Sequence, residues 1–138
     1  MKFELLKRTA IEIVPSCKEL IENSRDVGSI WLSLSNEFEK AYEEPTNRIL
    51  ISNIYKFAYF CLMYFYDAEI EVDAMFCFYE KLPLNEKMRN DISNHLSKEE
   101  FILLKNIFAN KLSKEDYERF LDDMMAQYCV MRRELERL

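Results

Sequence analysis

The longest run of apolar side chains lies between Phe57 and Tyr66, where ten apolar or aromatic residues follow one another. The surrounding stretch has the sequence ILISNIYKFAYFCLMYFY, with three strongly polar residues, all in its first half. A helix that is apolar on nearly all sides is buried on most of them. The pattern therefore predicts a buried central helix near residues 48–66.

A membrane-spanning helix is the alternative interpretation of this stretch, because about 20 apolar residues suffice to cross a bilayer. The polar residues Ser52, Asn53 and Lys56, together with four tyrosines, argue against it. No second stretch of this kind occurs in the sequence. We therefore expect no membrane association.

Apolar residues spaced three and four positions apart predict further helices on both sides of the central one. These stretches are residues 2–14, a short segment after Pro15, residues 30–42, about 69–81, a short segment through Met88 and Ile92, and two helices that follow Ser97 and Ser113. Residues 30–35 also alternate as a strand does, but the longer pattern favours a helix. One glycine and three prolines leave few turn residues for β-hairpins. The predicted fold class is all-α, a single-domain bundle of about seven or eight helices over residues 1–138.

Short polar signatures predict where several helices begin. A serine followed three positions later by an acid is typical of a helix start, and S-x-x-E is the capping box. The candidate caps are Ser16, Ser97 and Ser113, with Thr46 or Asn47 before the central helix. The lone glycine, Gly28, predicts a connection.

The last predicted helix has the most regular apolar pattern. Its apolar residues follow steps of four and three over three heptads: Tyr117, Leu121, Met124, Tyr128, Met131, Leu135 and Leu138. This seam is explained by packing against the domain's own core. It also offers a homodimer contact, or a surface for a partner.

The charge of the chain limits its partners. The formal net charge is −6, and no basic stretch stands free of acids. A nucleic-acid footprint needs clustered Lys and Arg, so we expect no nucleic-acid binding. An acidic surface fits solubility alone or a basic protein partner.

The cysteines and the N-terminus indicate a cytoplasmic protein. Cys17, Cys61, Cys77 and Cys129 are widely spaced, with no C-x-x-C pair, so neither a zinc site nor a disulfide is expected. The first residues, MKFELLKRTAIEIVP, carry charges where a signal peptide needs an unbroken apolar stretch. Free thiols without an export signal are typical of the cytoplasm.

No residue pattern indicates an enzyme, a cofactor or a metal. His95 is the single histidine, and no nucleophile motif accompanies it. A calcium loop starting at Asp67 would need glycine at its sixth position and glutamate at its twelfth. Val72 and Phe78 stand there instead. We therefore expect no catalytic, cofactor-binding or metal-binding residues.

Acidic clusters are the candidate partner-binding residues. The densest cluster is Asp67, Glu69, Glu71 and Asp73, and the reserve choice is Glu43 and Glu44. Acids in a first helical turn also complement the helix dipole, which gives the first cluster a purely structural interpretation. Trp31 is the single tryptophan, and it is either a core residue or an exposed anchor of an interface.

Three stretches of the chain resemble a known group of proteins. They are IVPSCKEL, NIYKFAYFCLMYFYDAEIEVDAMFCFYEKLP and HLSKEEFILLKNIFANKLSKEDYERFLDDM. The resemblance that they indicate covers roughly residues 10–125. The chain resembles a poorly characterised family of small all-helical bacterial proteins, which is similar to the immunity proteins of contact-dependent inhibition and related polymorphic-toxin systems. The resemblance implies no catalytic residue. It implies a cognate protein toxin as the partner, with a basic nuclease domain as the expected class.

Two functions follow as expectations. The first is an immunity protein that blocks its toxin by stoichiometric binding, for which an acidic surface would speed encounter with a phosphate-binding toxin. The alternative is a helical adaptor or regulatory subunit that binds another protein.

Overall fold

The computed structural model describes residues 2–128, 134 and 137, and these residues form eight α-helices and three short 3₁₀ helices without any strand. The α-helices are α1 Lys2–Ile13, α2 Lys18–Glu22, α3 Val27–Ala41, α4 Arg48–Met63, α5 Ala68–Cys77, α6 Glu86–Asp91, α7 Lys98–Lys111 and α8 Lys114–Tyr128. The 3₁₀ helices are Pro15–Cys17, Tyr79–Leu84 and Ile92–Asn94. The all-α prediction is confirmed.

The chain divides into two compact units, residues 1–79 and residues 80–138. The first unit contains α1 to α5, and the second contains α6 to α8. Each unit has buried apolar residues of its own. That residues 1–138 form a single domain stays a prediction.

The predicted central helix is α4, the most buried helix of the first unit. Helices α1, α3 and α5 pack against it. Its buried side chains are Leu50, Ile51, Ile54, Tyr55, Phe57, Ala58, Cys61 and Leu62. Asn47 caps it, because the Asn47 side chain accepts a hydrogen bond from the Leu50 amide at 3.1 Å. Of the two predicted caps, Asn47 is therefore the one used.

Helix α4 ends three residues earlier than the apolar run. Tyr64 is its C-cap, and Tyr66 takes a left-handed backbone conformation with φ of 51°. Tyr64 and Tyr66 are exposed, and Phe60 is only half-buried. Ten successive apolar residues exceed what the buried face of one helix accommodates, so the surplus lies at the surface. Within the described residues, no helix is long and apolar enough to cross a membrane.

A cluster of aromatic rings joins α3, α4 and the end of α5. The ring of Phe78 lies 5.0 to 5.4 Å from the rings of four other residues, which are Trp31, Phe38, Tyr55 and Tyr79. Trp31 also contacts Phe57 at 5.2 Å and is fully buried. The core interpretation of Trp31 is confirmed, and the exposed-anchor interpretation is wrong.

The predicted helix start at Ser16 and the predicted connection at Gly28 are wrong. Ser16 lies inside the 3₁₀ helix Pro15–Cys17, and no side chain caps α2, so the first capping box does not form. Gly28 lies in the first turn of α3 and not in a connection, since α3 begins at Val27 after the cap Asp26. The strand-like alternation after Ile30 is simply the start of this helix.

The predicted helix over about 69–81 is shorter in the structure. Helix α5 ends at Cys77, and Pro83 lies inside the 3₁₀ helix Tyr79–Leu84. The buried face of α5 is formed by Ile70 and Ala74. Val72 and Phe76, which are apolar as well, are exposed.

The second unit confirms two predicted helix starts. Ser97 and Glu100 form a reciprocal capping box at α7, with distances of 3.1 and 3.0 Å, and the Asp116 amide donates to Ser113 Oγ at 3.1 Å. Phe108 and Phe120 pack with their rings 5.3 Å apart. Phe101, Leu104 and Phe108 are buried in α7, and Ile107 is half-buried.

The regular seam of the last helix faces the interior of the second unit where it is described. Leu121 and Met124 are buried, and Tyr128 Oη donates to the Leu96 carbonyl. Met131, Leu135, Leu138 and Cys129 lie outside the described residues. A homodimer contact through this helix stays a prediction.

We expect Phe57→Ala to lower the free energy of unfolding by about 3–5 kcal/mol, because truncating a fully buried phenylalanine leaves a cavity. Phe60→Ala is the matched control in the same helix, and its half-buried ring should cost clearly less. Urea denaturation followed by circular dichroism measures both. Equal losses in the two variants would contradict the observed rotation of α4.

Candidate functional site

The candidate site is a surface groove of about 320 Å³ in the first unit. It lies where the N-terminal ends of α1, α3 and α5 meet. We call it the N-terminal groove, and its lining residues are Lys2, Phe3, Arg25, Asp26, Val27, Asp67, Glu69 and Ile70.

Two of the groove's carboxylates are helix caps. Asp26 Oδ1 accepts a hydrogen bond from the Ser29 amide at 2.8 Å, and Asp67 Oδ1 accepts one from the Ile70 amide at 3.1 Å. The first amides of a helix have no partner within the helix, so an aspartate before the first turn satisfies one of them. The start of α3 and the start of α5 thus each place a carboxylate at the groove.

The capping bonds lower the pKa of both aspartates. For Asp26 the backbone amide of Ser29 is the main cause, with a smaller contribution from the Ser29 side chain. For Asp67 the main cause is the amide of Ile70, helped by Lys2 Nζ, which lies 3.4 Å from Asp67 Oδ2. Hydrogen bonds to a carboxylate favour its ionised form. Both groups therefore carry negative charge at neutral pH.

The groove is mixed in charge, with an excess of carboxylates. Three carboxylates line it, those of Asp26, Asp67 and Glu69, beside the two cations of Lys2 and Arg25. Arg25 and Glu69 are exposed, so both are accessible to a partner. Phe3, Val27 and Ile70 supply its apolar lining.

The predicted acidic cluster is divided by the structure. Asp67 and Glu69 line the groove, whereas Glu71 and Asp73 lie further along α5 and are half-buried. Glu69 and Asp73 are four positions apart and share one face of the helix, while Glu71 lies on another. Asp67 has a structural role, because it caps α5. That this cluster binds a partner stays a prediction.

The reserve pair, Glu43 and Glu44, lies away from the groove. Both are exposed and follow the end of α3, just before α4 begins. The 16 residues of α4 span about 24 Å at 1.5 Å per residue, and Asp67 follows its other end. The two clusters are separate surfaces.

Asp26, Lys2 and Arg25 were missed as site residues by the sequence analysis. Asp26 could have been recognised from the sequence, since aspartate is a preferred N-cap residue at a helix start. This helix start was missed because Gly28, two positions later, was interpreted as part of a connection. Lys2 and Arg25 carried none, because no pattern in the sequence links them to residues 67–70.

The second unit contains a buried acid beside the only histidine. His95 Nε2 lies 3.0 Å from Asp91 Oδ2, and Asn94 Nδ2 donates to Asp91 Oδ1 at 2.8 Å. These contacts satisfy a buried carboxylate, and such groups are costly when left unpaired. The arrangement stabilises the turn from α6 into the 3₁₀ helix Ile92–Asn94. Across residues 2–128, 134 and 137, no three acidic, histidine or cysteine side chains are grouped so that they could hold a metal ion.

Comparisons of this chain with protein-family models, with curated proteins and with solved structures returned no match.

We expect the double variant Asp26→Asn/Asp67→Asn to flatten the acid limb of the stability curve. Asparagine caps a helix about as well as aspartate but carries no charge. Because both aspartates have a pKa below the ordinary value of about 3.9, their stabilisation is complete above that value and is lost as the pH falls through the folded-state pKa.

Urea denaturation at about pH 6 and about pH 2.5 measures this effect. The free energy of unfolding of the wild type should fall further between the two than that of the variant. Glu43→Gln/Glu44→Gln removes two exposed carboxylates away from the caps and controls for net charge. Parallel curves for wild type and the cap variant would show that the capping bonds do not favour the ionised aspartates.

Proposed function

We propose that this chain is an immunity protein, which neutralises a cognate toxin by forming a stoichiometric complex with it. The observation that carries the proposal is the N-terminal groove, an exposed site where carboxylates from the starts of two helices converge with a third on α5. Stoichiometric inhibition requires a complementary surface and no chemistry. The resemblance to immunity proteins supports the same conclusion.

The charge distribution supports a basic partner. Residues 57–79 contain no Lys, Arg or His and carry four carboxylates, those of Asp67, Glu69, Glu71 and Asp73. A nuclease toxin must bind phosphate and is therefore cationic at its substrate site. Opposite charges on the two proteins raise the association rate and favour the correct orientation.

The proposed function also implies where in the cell the protein acts. A nuclease toxin acts on nucleic acid inside the cell, so its inhibitor is expected in the cytoplasm.

A helical adaptor or regulatory subunit would use the same groove for a partner that is not a toxin. A toxin gene next to the gene for this chain would favour the immunity function, and co-expression of the two should restore growth and yield one complex on gel filtration.

We expect Asp26→Asn/Asp67→Asn/Glu69→Gln to slow association with that toxin domain by about three- to tenfold at low salt, because long-range attraction to the groove is weakened. The rate should also depend less on ionic strength, since fewer charges are left to be screened. The asparagines keep both helix caps, so the fold is retained. Association rates measured by stopped flow or biolayer interferometry at two salt concentrations test both effects.

The matched control is Glu115→Gln/Asp122→Asn/Asp123→Asn, which removes three exposed carboxylates from α8. It changes the net charge by the same amount but leaves the groove intact. If the two variants slow association equally, net charge and not the groove attracts the toxin. Unchanged kinetics in both would remove the support that charge gives to the proposal.

A further inference from the structure

Helix α5 is apolar on two opposite faces. Its inward face places Ile70 and Ala74 in the core of the first unit. On the other side Val72 is 46% exposed and Phe76 is 57% exposed. A surface helix ordinarily has a polar outward face, and clustered exposed apolar side chains mark interaction sites. Val72 and Phe76 are four positions apart, so they lie side by side on the outward face of α5.

The exposed apolar residues of α5 alternate with acids along one stripe. Glu69, Val72, Asp73 and Phe76 follow the spacing of residues that share a helix face. We call this stripe the outer face of α5. Glu69 also lines the N-terminal groove, so the outer face continues from the groove. Tyr66, which is 82% exposed, lies just before α5.

We propose that the outer face of α5 is the docking surface for the basic partner. Phe76 is its apolar anchor, and Glu69 and Asp73 form ion pairs with Lys or Arg side chains of the partner. This inference rests on the proposed function and adds the surface that holds the complex together. The groove attracts the partner by charge, and the outer face retains it by burial.

Charge complementarity decides between the partners that this face admits. Residues 57–79 contribute Glu69 and Asp73 to this face and no Lys, Arg or His of their own. Lys2, which pairs with Asp67, and Arg25 line the adjoining groove but are outnumbered there by three carboxylates, so charge favours a partner that is positive. A second copy of the chain would place Glu69 and Asp73 opposite the same acids and would be repelled. A cationic surface that also carries apolar side chains matches both the acids and the anchors.

The roles of acids and anchors predict different kinetic effects. Charges at an interface act mainly on the association rate, whereas truncated apolar anchors act mainly on dissociation. Large anchors near the centre of an interface account for most of its binding energy. Val72→Ala/Phe76→Ala should therefore leave association within about twofold of wild type and raise the dissociation rate by about tenfold or more.

The experiment is biolayer interferometry with the toxin domain that the proposed function predicts to be encoded beside this chain. The control variant Ile102→Ala/Leu103→Ala truncates an exposed apolar pair on α7, with side chains 45% and 49% exposed, and should match wild type. Phe76→Leu keeps an apolar anchor and should recover most of the lost residence time. Circular dichroism confirms that the variants are folded, as expected for substitutions at exposed positions.

The outcomes separate the inference from the function that it rests on. Fast dissociation of Val72→Ala/Phe76→Ala, with the control unchanged, supports the outer face of α5. Dissociation equal to that of wild type would overturn this surface while leaving the immunity function in place. Absence of binding by the wild type would end both proposals. If sedimentation shows a wild-type dimer that Val72→Ala/Phe76→Ala disrupts, the occupant is a second copy, which also overturns the inference.

Discussion

The packing of Phe78 determines how α5 is oriented in the first unit. Its ring contacts rings from α3 and α4, including Trp31 and Tyr55, at centroid distances of 5.4 and 5.2 Å. Ser35 Oγ donates to the Cys77 carbonyl at 3.1 Å, which holds the same end of the helix. At the other end, Asp67 Oδ2 lies 3.4 Å from Lys2 Nζ of α1. With both ends held, Ile70 and Ala74 must face inward, and Val72 and Phe76 must face out.

If the proposed docking surface is correct, stability and recognition use different faces of one helix. Buried aromatic and aliphatic side chains supply most of the free energy of folding, whereas exposed charges contribute little to it. The outer face of α5 is for this reason free to carry carboxylates and apolar anchors without loss of the fold. The caps Asp26 and Asp67 combine both roles, because each satisfies a helix start and places a negative charge at the groove.

The sequence predicted where the helices lie better than it predicted which face of each helix is buried. The unbroken apolar run located α4, and the Ser97–Glu100 pair located the start of α7. In α5, however, apolar residues recur on both sides, so spacing could not show that Ile70 is buried and Phe76 exposed. That distinction depends on the tertiary contacts of Phe78.

The candidate site was predictable only in part for a similar reason. Asp67 and Glu69 form a dense acidic run with a visible helix start, and both line the groove. Asp26 and Lys2 join them from distant parts of the sequence, and only the packing of α1, α3 and α5 brings these helix starts together. A local sequence pattern indicates charge and helix caps, but it does not indicate which helix ends lie close together in the fold.

Hydrogen–deuterium exchange, with and without the cognate toxin domain of the proposed function, is the most direct test of the proposed docking surface. Binding should slow amide exchange in residues 64–77, which include α5 and the connection before it, and in the turn that carries Asp26. Exchange in α7 and around Glu43 and Glu44 should stay unchanged. Protection that centres on α7 or on residues 43–47, with α5 unaffected, would contradict the account.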